Sequence, residues 1–329
     1  MTKTLKILVV RFSSIGDIVL TTPVVRCLKE QLNAEVHYLT KQSYASILTS
    51  NLYITKVWTI QSAVSELKTE LRNQEFDYVI DLHKNLRTLH LRLLLKSKFL
   101  SFQKLNFEKW LITKFKINRL PNVHIVDRYL ATAKTLGIKN DGKGLDYFIP
   151  KKDEVEIQTI KQDKQILIAF AIGAAHSTKR LPTDKIISIC KKIIGNENTI
   201  IVLLGGKEDV NRAEVIEKMV GQNIVNLCGQ INLHQSASVV RQSDVVITHD
   251  TGMMHIAAAF QKRIISIWGN TIPDFGMFPY VESSKFEIVE VKGLSCRPCS
   301  KIGHKECPKG HFKCMNDIDE SQIVQYSNL

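Results

Sequence analysis

The sequence predicts an α/β protein built from two doubly wound parallel sheets, and three observations lead there. Short continuous apolar runs, the kind buried on both faces of a parallel sheet, alternate with segments of helical period. A stretch at 141–164 with Gly142, Gly144, Pro150 and a charged run divides this alternation into two series. The chain has 329 residues, enough for two domains at about 150 residues each. The expected domains are 1–155, 156–315 and a C-terminal helix over 316–329.

The elements follow in order. Residues 5–11 form an apolar run ending in Arg11, read as the first strand; the turn Ser13-Ser14-Ile15-Gly16-Asp17 follows, then a helix over 18–32 with Pro23 in its first turn. Strands are expected at 35–40, 54–60 and 76–82, with a helix at 62–73. The basic stretch 84–119 holds one or two helices, and a helix at 123–136 stops at Gly137. In the second series, strands at 166–172, 199–204, 224–227, 244–248 and 264–268 alternate with helices at 183–194, 207–220, 233–241 and 252–260. A strand at 286–291 closes the sheet, and a short helix at 318–326 ends the chain. Strand–helix alternation requires crossover connections and so a parallel sheet.

Composition narrows the classes. Apolar residues make up 44% and charged residues 23%, as in globular proteins. No apolar run reaches the ~18–20 residues of a membrane span, and Arg11 interrupts the one candidate signal segment. The expected location is the cytoplasm. Lys and Arg number 45 against 32 Asp and Glu, a net charge of +13. That surplus favours an anionic partner. Aromatic residues are only 7% and no basic-aromatic motif is present, so nucleic acid is not the expected partner.

Ligands of doubly wound sheets bind beyond the carboxyl ends of the strands, so the chemistry is sought there. After the first strand, Gly16 permits close backbone approach and Asp17 opens a helix, a place for a helix-favoured carboxylate or a general base. The loop Gly173 to Pro182 gathers His176, Ser177, Thr178, Lys179 and Arg180, donors suited to phosphate oxygens. In Gly205-Gly206-Lys207-Glu208-Asp209, either acid is placed to accept from a ribose hydroxyl. Asp250-Thr251-Gly252-Met253 sits at a strand-to-helix junction whose amides form an anion site, and His255 follows one turn later.

These loops and Trp268-Gly269-Asn270-Thr271-Ile272-Pro273 occur in an order that resembles the ADP-heptose:lipopolysaccharide heptosyltransferase family, glycosyltransferase family 9. The resemblance runs from Lys6 to about Gln325. It implies a GT-B fold, two Rossmann-like domains facing a central cleft. The acceptor would lie on the first domain and the nucleotide sugar on the second. By position, Asp17 corresponds to the catalytic base. Ser177, Thr178, Lys179, Glu208, Asp250, Thr251, Gly252 and His255 correspond to donor-binding residues. Ser14, Gly16, His83, Arg87, His124 and Arg128 fall on the acceptor side. The implied reaction is inverting transfer of a heptose or related sugar from an ADP-sugar to an anionic lipid A core acceptor, with no cofactor required. Asn270 stands where the family often has proline and Leu181 where tryptophan is common, which leaves the sugar open.

Two further features remain. Arg87, Arg92, Lys96, Lys98, Lys104, Lys109, Lys114 and Lys116 alternate with Leu95, Phe99, Phe102, Phe107 and Trp110. For the lipid A core acceptor that the resemblance implies, this segment suits either peripheral contact with the anionic inner face of the cytoplasmic membrane or packing on its own domain. Cys296, Cys299, Cys307 and Cys314, with His304 and His311 between them, suit either a structural zinc site or reduced thiols. Cys27, Cys190 and Cys228 lie on elements expected to be buried.

Alternatives to transfer are a non-catalytic nucleotide-sugar or glycolipid binding protein and a GT-B nucleotide-sugar epimerase. A nicotinamide-dependent oxidoreductase is disfavoured, because no G-x-G-x-x-G is present.

Overall fold

A computed structural model describes residues 4–162, 164–195 and 198–328. The chain divides into two compact units, Met1–Leu105 with Val123–Phe148, and Asn106–Asn122 with Ile149–Leu329. A single cut after residue 155 does not describe this division: residues 106–122 group with the second unit, and the main changeover falls at 148/149.

The first unit contains β1 (Lys6–Val10), α1 (Ile15–Val19), α2 (Thr22–Leu32), β2 (Glu35–Lys41), α3 (Ser46–Thr49), β3 (Lys56–Ile60), α4 (Lys68–Asn73), β4 (Tyr78–Asp81), α5 (Leu86–Leu94) and β5 (Lys98–Ser101). The next helix, α6 (Asn106–Phe115), falls in the second unit, and α7 (Ile125–Thr132) returns to the first. The strand order is β3-β2-β1-β4-β5 with parallel pairing throughout. The order reverses between β1 and β4, and the crevice beyond that switch point is where such sheets bind ligands. Leu8, Val10, Leu39, Trp58 and Val79 build its core.

One expected helix is two. The chain turns at Leu20 and Thr21 because Pro23 has no N–H to donate to the carbonyl of Val19. The Thr22 hydroxyl donates to that carbonyl instead at 2.8 Å, and Thr21 donates to Ile18 O at 2.7 Å. In the basic stretch, β5 was not expected. It is a short edge strand of half-exposed residues, with too little apolar alternation to announce itself. Arg26, fully buried on α2, ties that helix to the segment leading out of the unit. Its Nε lies 2.7 Å from Asp141 Oδ2, its Nη2 donates to Gly144 O at 2.8 Å, and Nη1 pairs with Asp146.

The second unit contains β6 (Ile166–Ala171), α8 (Thr183–Ile194), β7 (Thr199–Leu204), α9 (Val210–Val220), β8 (Ile224–Asn226), α10 (Leu233–Gln242), β9 (Val245–His249), α11 (Gly252–Ala259), β10 (Arg263–Trp268), β11 (Phe286–Glu290), α12 (Lys313–Asn316) and α13 (Glu320–Ser327). Its parallel sheet has the order β11-β10-β9-β6-β7-β8. Here the switch point lies between β6 and β9. The core joins Phe170, Ile189, Ile201, Ile247 and Ile267 with Cys190 and Cys228. The terminal helix α13 docks on α8 through Glu320, which accepts from Ser188 Oγ at 2.6 Å and pairs with Lys185 and Lys192. Among the described residues, no helix is long and apolar enough to cross a membrane.

Candidate active site

In the first unit the site is built where β1 and β4 run side by side, Val10 opposite Asp81. Asp17 occupies the third position of α1. Its Oδ2 accepts from the Ser14 amide at 3.2 Å and the Ser14 hydroxyl at 2.9 Å, a capping box. Its Oδ1 lies 2.7 Å from Arg11 Nη2. Burial alone would raise the Asp17 carboxyl; the charge of Arg11 and the bonds from Ser14 outweigh it and hold the pKa below the usual carboxylate range. Arg11 is itself fixed: it donates to Ser13 O at 2.7 Å, Leu82 O at 2.7 Å and the Tyr129 hydroxyl at 3.0 Å.

The other acceptor-side candidates do not all converge. Asp81 is buried, and its Oδ1 receives the amides of His83 at 3.0 Å and Lys84 at 2.7 Å, shaping the loop after β4. His83 packs edge-on to Phe12 with centroids 5.2 Å apart. Burial, then the charge of Arg11, pushes its pKa down to about 3, so the ring is neutral, and its buried Nδ1 has no hydrogen-bond partner. Arg87 donates to Ser62 O at 2.8 Å. His124 caps α7: its buried Nδ1 accepts from Val126 N at 3.1 Å, which is a helix-ending role. Arg128 donates to Gln103 O at 2.8 Å and stacks over Phe102.

Two residues of this region had not been singled out for the site. Arg11 could have been: a cation ending an otherwise apolar buried strand needs a buried partner. Lys104, read as a surface cation, is half-buried within electrostatic reach of Arg11, Asp81 and Asp17. Burial and the neighbouring Arg11 charge lower its pKa.

In the second unit the corresponding position lies beyond β6 and β9, which pair Ala171 with Thr248. Lys179 ends a one-turn helix, Ser177–Lys179. Its Nζ lies 2.5 Å from Asp250 Oδ2 and donates to Asp250 O at 3.1 Å. Thr271, after β10, donates to the same Oδ2 at 2.8 Å. Thus three strand-end loops meet at Asp250. Thr251 is the N-cap of α11 but makes no side-chain cap bond, so the amides of that end have no internal acceptor from it. Ser177 is exposed beside Lys179.

Two donor-side candidates are buried. Thr178 is buried and locked to the backbone of His304, donating to its carbonyl at 3.1 Å and receiving its amide at 2.8 Å. His255 is buried on α11. The glycines after β6 and β7 make room for Asp209 rather than leaving open backbone. A Cβ on Gly173 would sit 2.2 Å from Asp209 Oδ2, and one on Gly205 would sit 2.9 Å from Asp209 Cβ. Asp209 is buried and receives Gly206 N at 3.0 Å, whereas Glu208 is exposed; only Glu208 is presented for a ligand hydroxyl. His249 accepts from Leu181 N at 2.9 Å, and burial, then the charge of Arg212, pushes its pKa down to about 3.

The four candidate metal ligands form no disulfide. Cys299 Sγ donates to Cys296 O at 3.1 Å, and Cys296 Sγ lies 3.8 Å from His311 Nε2. Burial pushes Cys314 up to about 12. Among the described residues no group of three His, Cys, Asp or Glu side chains is set to hold a metal, while Cys296, Cys299 and Cys307 all lie within electrostatic reach of Cys314. The segment is held by other means: Arg297 pairs with Glu290 at 2.6 Å and donates to Thr271 O at 2.8 Å, and Lys116 donates to Pro298 O at 2.7 Å. A cavity of about 240 Å³ lies between Ile112, Lys116, Ile272, Asp274 and Arg297, and neither Lys179 nor Asp250 lines it.

Comparison with known proteins adds three findings. The profile of glycosyltransferase family 9 (heptosyltransferase) matches residues 64–309. Lipopolysaccharide heptosyltransferase 1 of Campylobacter coli is 25% identical over 291 residues, spanning 81% of this chain and 84% of that protein. Among solved structures, the family 9 glycosyl transferase of Veillonella parvula superposes with a TM-score of 0.78 at 21% identity, over 98% of this chain and 96% of that one. The ADP-heptose lipopolysaccharide heptosyltransferase II of Escherichia coli gives 0.73 at 18% identity, over 98% of each chain.

Proposed function

Since the chain belongs to glycosyltransferase family 9, with the GT-B fold of its structural neighbours, we propose that it transfers a heptose from an ADP-sugar to an anionic lipopolysaccharide core acceptor, with inversion at the anomeric carbon. The observation that supports this most is the pair of strand-end sites of opposite character. One offers an ionised carboxylate, Asp17 held by Arg11. The other offers a cation and uncapped amides, Lys179 with the start of α11.

In the proposed step an acceptor hydroxyl oxygen forms a bond to the anomeric carbon. The bond from that carbon to the diphosphate oxygen breaks, and its electron pair leaves with ADP. The proton of the hydroxyl passes to Asp17. A carboxylate with a depressed pKa is a weak base toward a free alcohol. The hydroxyl becomes strongly acidic as its oxygen bonds to carbon, so a late proton transfer suits Asp17. A single displacement needs one carboxylate and inverts the centre.

Lys179 and the amides after Thr251 take up charge developing on the diphosphate. An arriving phosphate competes with Asp250 for Lys179, while Thr271 keeps the Asp250 carboxylate in place. Glu208 is the exposed acceptor for a ribose hydroxyl. On the acceptor side, Lys104 and Arg128 supply positive charge for acidic sugars.

The test is incubation with ADP-heptose and a lipid A core acceptor, with the product linkage read by NMR. The reading expects a heptosylated product of inverted anomeric configuration. Retention of configuration, or free heptose without transfer, would overturn it.

A further inference from the structure

The helix α5 shows apolar side chains on two opposite faces. One face is ordinary: Thr88, Leu91 and Leu95, spaced by three and four residues, are buried against the first unit, and Leu91 and Leu95 belong to its core. The other face carries Leu86, Leu89 and Leu93 at the same spacing, and they are 83%, 54% and 77% exposed. Leucine at this exposure is common singly; three in register on one short helix form a patch. The aromatic and leucine residues expected to reach outward do not all do so. Leu95 and Phe102 are buried, and Phe99 packs partly against the core.

The charge around the exposed face is one-sided. On a helical projection at about 100° per residue, Arg92 flanks the leucines on one side and Arg87 and His90 on the other. Lys84, Lys96 and Lys98 lie just beyond the helix ends. No Asp or Glu occurs between Asp81 and Glu108. The one-turn helix packed beside α5 contains Glu66, whose carboxylate accepts the amides of Gln61, Ser62 and Ala63. A groove of about 530 Å³ lies at the start of α5, with Ala63, Val64, Leu86 and His90 in its walls.

We infer that this face of α5 docks the protein on an anionic lipid bilayer, with Leu86, Leu89 and Leu93 entering the headgroup boundary and Arg87, Arg92 and Lys96 meeting lipid phosphates. An apolar stripe between two cationic borders is the pattern that binds an anionic interface. It suits a flat, negatively charged, deformable surface better than a folded partner, which would need acidic groups on both flanks. The inference rests on the transferase reading only for its purpose, since a lipid-linked acceptor must be met at its membrane.

The test is co-sedimentation of the full chain with vesicles of phosphatidylcholine, with and without phosphatidylglycerol. The chain is expected to partition onto the anionic vesicles, to be released by added salt and to ignore the neutral ones. The double variant L89E/L93E, at two exposed positions, is expected to lower that partitioning at least about tenfold. L52E places the same charge at another exposed leucine and is expected to bind as the parent does. R92Q/K96Q is expected to weaken binding and flatten its salt dependence. Parental binding by L89E/L93E, or no binding by the parent chain, would overturn the inference. So would a dimer in solution that L89E/L93E converts to monomer without changing vesicle binding, since the face would then join copies of the chain. ADP titration of the same samples separates the two readings: a chain that docks but binds no ADP refutes the transferase, not the surface.

Discussion

The two strand-end sites use the same fold position and reach opposite electrostatic ends. Beyond β1, the helix that follows has its N-terminus filled from within: Asp17 takes the Ser14 amide and hydroxyl and Arg11 closes the other oxygen. Beyond β9, the helix that follows has no side-chain cap, and Asp250, the nearby carboxylate, is drawn off by Lys179 and Thr271. The first arrangement keeps an anion of its own in place. The second leaves a helix end and a cation ready for an anion from outside. Related sheets therefore yield a held carboxylate in one unit and a cation beside an uncapped helix start in the other, decided by where a single acidic side chain is anchored.

The largest expected effect breaks the first site. Asp17→Asn is expected to lower turnover about 10²–10⁴-fold in a steady-state assay; turnover within a few-fold of the parent would remove Asp17 from its role. In the second site, Lys179→Ala is expected to weaken ADP binding by about 10–100-fold, the worth of one charge-assisted hydrogen bond, in calorimetry.

A smaller effect sharpens the contrast through pH. The Asp17 pKa lies below its ordinary value, so the carboxylate stays ionised down through the usual carboxylate range. Activity, and the stability this pair adds, are then retained above that range and lost on further acidification. Arg11→Gln removes the cation and leaves burial unopposed. The acid limb of kcat/KM should move up by about 1–3 pH units; an unmoved limb would mean that Arg11 does not set the charge of Asp17. The smallest effect is Thr271→Val, which frees Asp250 of one bond and should change ADP affinity by only a few-fold, about 0.5–1.5 kcal/mol.

Much of this was legible in the residues. Apolar runs such as Thr199–Leu204 and the helix Thr183–Ile194 carry their own period and flanking signals. Asp17, Lys179 and Asp250 stand in the segments that follow β1, β6 and β9, at the strand ends where a doubly wound sheet binds ligands. What stayed hidden depends on long-range partners. Thr178 reads as a phosphate donor until the His304 backbone, far along the chain, takes its hydroxyl. Gly173 and Gly205 read as open backbone until Asp209 fills the space. His124 reads as an acceptor ligand but its ring nitrogen closes a helix end. The exposed leucines of α5 share the composition of the buried ones, and only packing tells the two faces apart.

The division of labour between the sites is tested most directly by titrating ADP into the Asp17→Asn and Lys179→Ala proteins side by side. The account predicts parental affinity for the first and a marked loss for the second. Equal losses in both, or no loss at Lys179→Ala, would contradict it.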